Sequence, residues 1–245
     1  MIRAINILIF AIFCGLTTNS PAYAQSTETF RAEARKDGEL VYREKHVAKF
    51  DEKGAVETAV TEYFDPEGKL IATLHSNFEK SVTAPDHEFH DLRFETRHGM
   101  RSQAGKLILF DQDRGKKEES KTIAPTRGKN QLVVGCQGLG YYFRDNLDSV
   151  KQRKKVPVQL LVPGKLDSYN FELVYLKEND SGIVDLKLVI NNWFLKVFAP
   201  QLDIKYDRVN KRFLSYKGLS NLLDNNRKEQ VVDITYQYDT PTATP

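Results

Sequence analysis

Between Glu39 and Phe78 the sequence changes polarity at almost every step, in three runs, ELVYREKHVAKF, AVETAVTEYF and KLIATLHSNF, joined by DEKG and DPEG. Period-two alternation places one set of side chains on each face of a pleated strand, and short polar connections leave room only for a meander. In Asp65-Pro66-Glu67-Gly68, Pro66 presets φ at the first central position of a turn and Gly68 tolerates the left-handed conformation that follows. Leu70, Ala72, Leu74 and Phe78 fall on one face of the third run, and Ile71, Thr73, His75 and Asn77 on the other.

The same period returns along most of the chain. Strands are expected near 88–97, 106–112 and 117–123, then in VPVQLLVP, SYNFELVYL, IVDLKLVI, LDIKY, RFLSYKG and QVVDITYQY. Two segments break the pattern. Residues 138–151, GLGYYFRDNLDSVK, repeat Leu139, Tyr142, Phe143, Leu147 and Val150 at three- and four-residue steps, which predicts an amphipathic helix. NNWFLKVFAP (191–200) reads as a helical turn or two ended by Pro200. The expected fold is mainly β with few helices (α+β). It is a curved antiparallel sheet or incomplete barrel of about ten strands capped by one or two helices, in a single domain over 25–238, with a flexible tail at 239–245.

The first residues carry Arg3, an apolar run from Ile5 to Phe13, and the small-residue site Ala22-Tyr23-Ala24. This is the layout of a secretory signal peptide (1–24), with cleavage expected after Ala24 and a periplasmic destination. Cys14 as a lipid-attachment site is disfavoured by the bulky Phe13 before it. No later stretch is long and apolar enough to be a transmembrane segment of the mature chain. The remaining Cys136 has no partner for an internal disulfide and reads as a small buried hydrophobe. With 36 basic against 33 acidic residues the surface is balanced, and no basic run is interleaved with aromatics, so nucleic acid is not an expected partner.

Several motifs invite chemistry. DHEFHD (86–91) offers His87 and His90, but on a strand residues three apart diverge, and His98 lies across a turn. Solvated histidines at a strand edge, and no metal, are the expectation. In the first run Leu40, Tyr42, Ala48 and Phe50 share a face with Glu44 and His46 between them. If that face points inward, the pair sits among apolar groups and could orient a polar ligand group; the plainer expectation is that the face reaches solvent at mid-strand or that the pair satisfies itself as an internal hydrogen bond. GCQGLG (135–140) has the wrong glycine order for a dinucleotide loop and suits a tight strand-to-helix turn with close packing. Ser220 and Asn221 in GLSNL read as turn residues, and KQRKK (151–155) as the cationic end of the helix.

The segments LVPGKLDSYNFEL (161–173) and APQLDIKYDRVNKRFLSYKGLSNLLD (199–224), with VVDITY, resemble a group of uncharacterised exported bacterial proteins. The resemblance rests on Val162-Pro163, Tyr206-Asp207 with Lys211 and Arg212, and Tyr216, Gly218, Ser220 and Asn221, and it implies no activity. More loosely, the layout is similar to the periplasmic lipoprotein-carrier fold, in which helices cap a curved sheet over an apolar cavity. That likeness implies a cofactor-free, non-enzymatic binding or carrier module for an apolar or lipid-like ligand. Its expected ligand-binding residues are Tyr42, Glu44, His46, Leu74, Phe78, Leu139, Tyr142, Phe143, Trp193 and Phe194. The alternative is an envelope interaction protein with a filled barrel, pairing with a partner through a strand edge. A third is a hydrolase-like enzyme using Glu44 and His46.

Overall fold

The computed structural model describes residues 25–124, 131–190 and 202–238. The expected signal peptide and tail, and Trp193 and Phe194, lie outside them. The described strands are β1 (Ser26–Lys36), β2 (Glu39–Phe50), β3 (Val56–Phe64), β4 (Leu70–Asn77), β5 (Asp86–Asp91), β6 (Thr96–Gln103), β7 (Lys106–Gln112), β8 (Glu119–Ile123) and β9 (Leu132–Gly135). After helix α1 (Gly138–Arg153) come β10 (Lys155–Val162), β11 (Asp167–Glu178), β12 (Ile183–Ile190), β13 (Leu202–Asp207), β14 (Arg212–Leu219) and β15 (Val231–Tyr238).

All fifteen strands form one sheet in the order β8-β7-β6-β5-β4-β3-β2-β1-β15-β14-β13-β12-β11-β10-β9. Each neighbour is antiparallel except β9 and β10, where α1 supplies the crossover that a parallel pair requires. The expected β-rich, antiparallel-dominated architecture holds, with fifteen strands rather than about ten. Two extra strands come from segments with weak alternation: β1, where charged outer residues flank Ala32 and Ala34, and the four-residue β9. A third comes from the expected strand at 88–97, which the turn at 92–95, with Glu95 at φ 53°, divides into β5 and β6. The β1–β2 hairpin turns on Asp37 and Gly38, both at positive φ (52° and 87°), as a two-residue loop between right-twisted strands demands.

The sheet is open but strongly curled. Its two edge strands, β8 and β9, are neighbours in sequence, and Lys121 of β8 reaches Asp167 of β11 at 3.0 Å across the gap. Inside the curl lies α1, the one α-helix among the described residues, two residues longer than the expected 138–151. Leu139, Phe143, Leu147 and Val150 are buried, as the periodicity predicts, in a cluster with Val156, Val158, Leu173, Leu186, Leu188 and Ile204 of the β10–β13 side. Tyr141, outside the predicted stripe, packs edge-on against Phe78 at 4.8 Å and Phe50 at 6.2 Å on the opposite wall. The helix therefore touches both arms of the sheet.

The glycines of GCQGLG make this approach feasible. A Cβ on Gly138 would stand 1.9 Å from the Thr83 carbonyl oxygen, and one on Gly140 would stand 2.4 Å from the Phe213 ring. At the other end Lys154 takes the left-handed conformation, its N–H donates to the Val150 carbonyl, and Lys151 and Arg153 place charge where the helix dipole favours it.

Candidate functional site

The inward face of β2 is the one that carries Tyr42, Glu44, His46, Ala48 and Phe50, all of them buried. Glu44 and His46 are 6% and 7% exposed, so a carboxylate and an imidazole lie among apolar walls and must find partners there. They find each other: His46 Nε2 and Glu44 Oε2 are 2.8 Å apart. The other ring nitrogen, Nδ1, is 2.9 Å from Thr61 Oγ1 on β3. Thr61 in turn accepts from Gln137 Nε2 at 2.7 Å, and Ser76 Oγ donates to Gln137 Oε1 at 3.1 Å. The bonds form one continuous chain, from Ser76 through Gln137 and Thr61 to His46 and finally to the carboxylate. Gln137, the residue before α1, caps its helix with no side-chain bond because its amide is spent tying the helix start to β3 and β4.

Beside this chain is a cavity of about 220 Å³ between α1 and the sheet. One wall comes from β1 and β2 (Phe30, Tyr42, Glu44, His46), another from β13 to β15 (Tyr206, Phe213, Tyr216, Tyr236, Tyr238), and the cover from α1 (Leu139, Tyr141, Arg144). Rings stack through it: His46 on Phe30 with centroids 4.3 Å apart and planes 8° apart, and Phe30 on Tyr238 at 4.7 Å. At one end the turn after β14 contributes Ser220, whose Oγ is 2.8 Å from the Tyr42 hydroxyl, and Asn221, which donates to the Tyr63 hydroxyl at 3.4 Å.

At the rim Arg144 pairs with Glu28 at 3.0 Å, Lys211 with Asp145 at 3.6 Å and Arg212 with Asp207 at 3.7 Å. Two buried donors there, the Tyr206 hydroxyl and Arg212 Nε, have no hydrogen-bond partner. Burial first, and then the Glu44 charge, push Tyr42, Tyr63 and Tyr236 well above the ordinary phenol range, so these hydroxyls stay protonated and able to donate. Burial likewise pushes the Cys136 thiol up to about 12, which removes the thiolate a nucleophile needs.

Of the residues expected from sequence, the fold gathers Tyr42, Glu44, His46 and Leu139 around the cavity. Leu74, Phe78 and Phe143 are buried elsewhere in the packed interior, and half-buried Tyr142 packs against the β10–β13 cluster, so none of these four lines it. Sequence reasoning missed Phe30, Tyr236 and Tyr238, which pair across the β1–β15 junction, and Arg144 on the polar side of the helix. It also missed Phe213. Ile204 pairs with Tyr216 and Tyr206 with Phe213, so three steps on β14 match two on β13; this bulge turns both aromatics toward the cavity. Tyr206, Lys211, Arg212, Tyr216, Ser220 and Asn221, which carried the resemblance in the last third of the chain, all line it.

The histidines of DHEFHD diverge on β5 as expected, but the strand is not an edge and His87 is not solvated. Burial lowers the pKa of His87, which is bonded to the Pro85 carbonyl at 3.0 Å; half-buried His98 stacks on Phe89 at 4.8 Å, its own pKa lowered to about 4. Among the described residues no three His, Cys, Asp or Glu side chains group as metal ligands, and no helix is long and apolar enough to cross a membrane.

Glu44, His46 and Thr61 have the carboxylate–imidazole–hydroxyl order of a hydrolytic triad, but Thr61 is 0% exposed and does not line the cavity. Substrate has no route to its hydroxyl, so the arrangement suits holding a polar group better than attacking one. No family model matches this chain, and no curated protein matches it. Among solved structures it is similar to a porin-like protein from Bacteroides uniformis at 8% identity and a TM-score of 0.29, over 89% of this chain and 98% of that one, a likeness too distant to bear on fold or function.

Proposed function

We propose that this chain is a periplasmic binding or carrier module that holds an apolar or lipid-like ligand without cofactor or catalysis. The observation that carries the reading is the cavity under α1. One water needs about 10–15 Å³ of such space, and this cavity offers about 220 Å³. Small-molecule sites commonly measure about 300–1,000 Å³, so the occupant is small, or is one end of something larger. Aromatic walls reward burial by roughly 0.8 kcal/mol per CH₂ removed from water, while Glu44, His46 and the tyrosine hydroxyls orient a polar end. The periplasmic location rests on the first 24 residues of the sequence, read as a signal peptide.

An envelope partner pairing along a strand edge is the weaker alternative. β8 is five residues long, and its exposed residues include Glu119 and Lys121, devices that protect an edge from pairing. The test is native mass spectrometry of protein purified from the periplasm without detergent. A stoichiometric adduct that solvent extracts is expected. A bare polypeptide mass that persists after incubation with envelope lipid extract would sink the reading and turn attention to partner capture.

A further inference from the structure

Glu44 is a buried carboxylate that lines the cavity. A carboxylate offers about four acceptor sites, yet Glu44 is 6% exposed and its one hydrogen bond among the described residues is from His46. His46 is held on its far side by Thr61, and Thr61 by Gln137. The Glu44 charge is felt at Tyr42, Tyr63, Tyr216 and Tyr236, each of which it pushes toward the protonated form. Among the described residues His46 is the one ion-pair partner within reach of the carboxylate, and tyrosine rings line the cavity with it. The cations nearest in the cavity belong to the rim. Arg144 is bonded to Glu28, which sits four residues along β1 from Ala32, the register partner of Glu44; that is about 13 Å of strand. Each rim cation already has a carboxylate beside it.

We propose that the cavity takes a small organic cation, its ammonium group seated on the Glu44 carboxylate between the tyrosine faces and its hydrocarbon part lying along the Phe30–Tyr238 stack toward the rim. Ring faces carry negative potential and attract a cation most strongly where water is excluded, and a buried carboxylate supplies the counter-charge. This deepens the binding reading above and rests on it.

The test is calorimetric titration of the purified protein with three probes that share a six-carbon tail: hexyltrimethylammonium, hexanoate and hexanol. The ammonium probe is expected to bind about tenfold or more tightly than the other two. Glu44→Gln is expected to erase that advantage, bringing the ammonium affinity down to that of hexanol, while the circular dichroism spectrum stays as it was. Should Glu44→Gln fail to fold, Tyr236→Leu keeps the carboxylate, removes one ring face, and is expected to narrow the gap between ammonium and alcohol. Equal binding of ammonium and alcohol, or full ammonium affinity in Glu44→Gln, overturns the cation assignment and leaves the binding reading standing. Hexanoate binding tightest, and lost in Arg212→Gln, overturns it in favour of an anion at the rim. Binding of none of the three overturns the assignment, and the adduct experiment above then decides the binding reading separately.

Discussion

The two arms of the sheet solve the same problem differently. From β10 to β13 the inner face is Val156, Val158, Phe171, Leu173, Val184, Leu186, Leu188, Ile190 and Ile204, and it packs against α1 as an ordinary apolar core. From β2 to β5 the inner face carries Glu44, His46, Thr61, Ser76, His87 and Asp91, all buried. The apolar arm gives α1 most of its hold. The polar arm meets the helix mainly at its start, through Gln137, and leaves space along the rest. A cavity opens where a helix is shared between a wall that packs and a wall that hydrogen-bonds.

The largest expected effect tests the packing arm. Phe143 is 1% exposed and meets Tyr206 and Phe213 edge-on, so Phe143→Ala should cost about 3–5 kcal/mol in urea unfolding. A loss as small as that of a surface change would mean that α1 is held from the polar side instead.

Acid should expose the other arm. Burial and the neighbouring His87 hold His98 down to about 4 from an ordinary 6.5. Between those values the unfolded chain binds the proton and the native one does not. Stability therefore rises with pH across the window and is lost as pH falls from 6.5 toward 4, by up to about 3 kcal/mol for this group. His98→Gln should flatten that part of the stability profile, and hydrogen exchange at low pH should open β5 and β6 before β11 and β12. Simultaneous opening of both arms would show that they behave as one unit.

Thr61→Val leaves His46 Nδ1 and Gln137 Nε2 without their shared partner, at an expected cost of about 1–3 kcal/mol. If ligand affinity also falls, the chain of bonds positions Glu44; if stability alone falls, it only seats the helix. The smallest effect belongs to the exposed pair Lys121–Asp167 across the gap between the edges. Lys121→Ala should leave the denaturant midpoint unmoved. A measurable drop would mean that this gap is a real joint.

How much of this was legible depends on which neighbour speaks for a residue. The inward set of β2 could be read from alternation alone, because Tyr42, Ala48 and Phe50 bracket Glu44 and His46 at even spacing. In β5 the expectation of solvated histidines at a strand edge fails because β4 and β6 flank the strand, with His87 and Phe89 facing in. β1 was silent because its inner residues include two alanines and its outer ones are charged. Phe213 was unreadable, since a bulge changes parity without marking the sequence. The cavity itself depends on strands that meet across the whole length of the chain, and period counting has no access to such pairings.

That last point bears on when the site comes into being. The first and last described strands, β1 and β15, pair at the middle of the sheet, whereas strands close in sequence fill each arm outward from there. Each arm can assemble from local hairpins, quickly and alone, but the join between them closes a loop of nearly the full chain and is expected to come late. Phe30, Glu44 and His46 stand on one side of that join, and Phe213, Tyr216 and Tyr236 on the other. Until the final strand docks there is no enclosed space to occupy, so a ligand meets either a finished container or none.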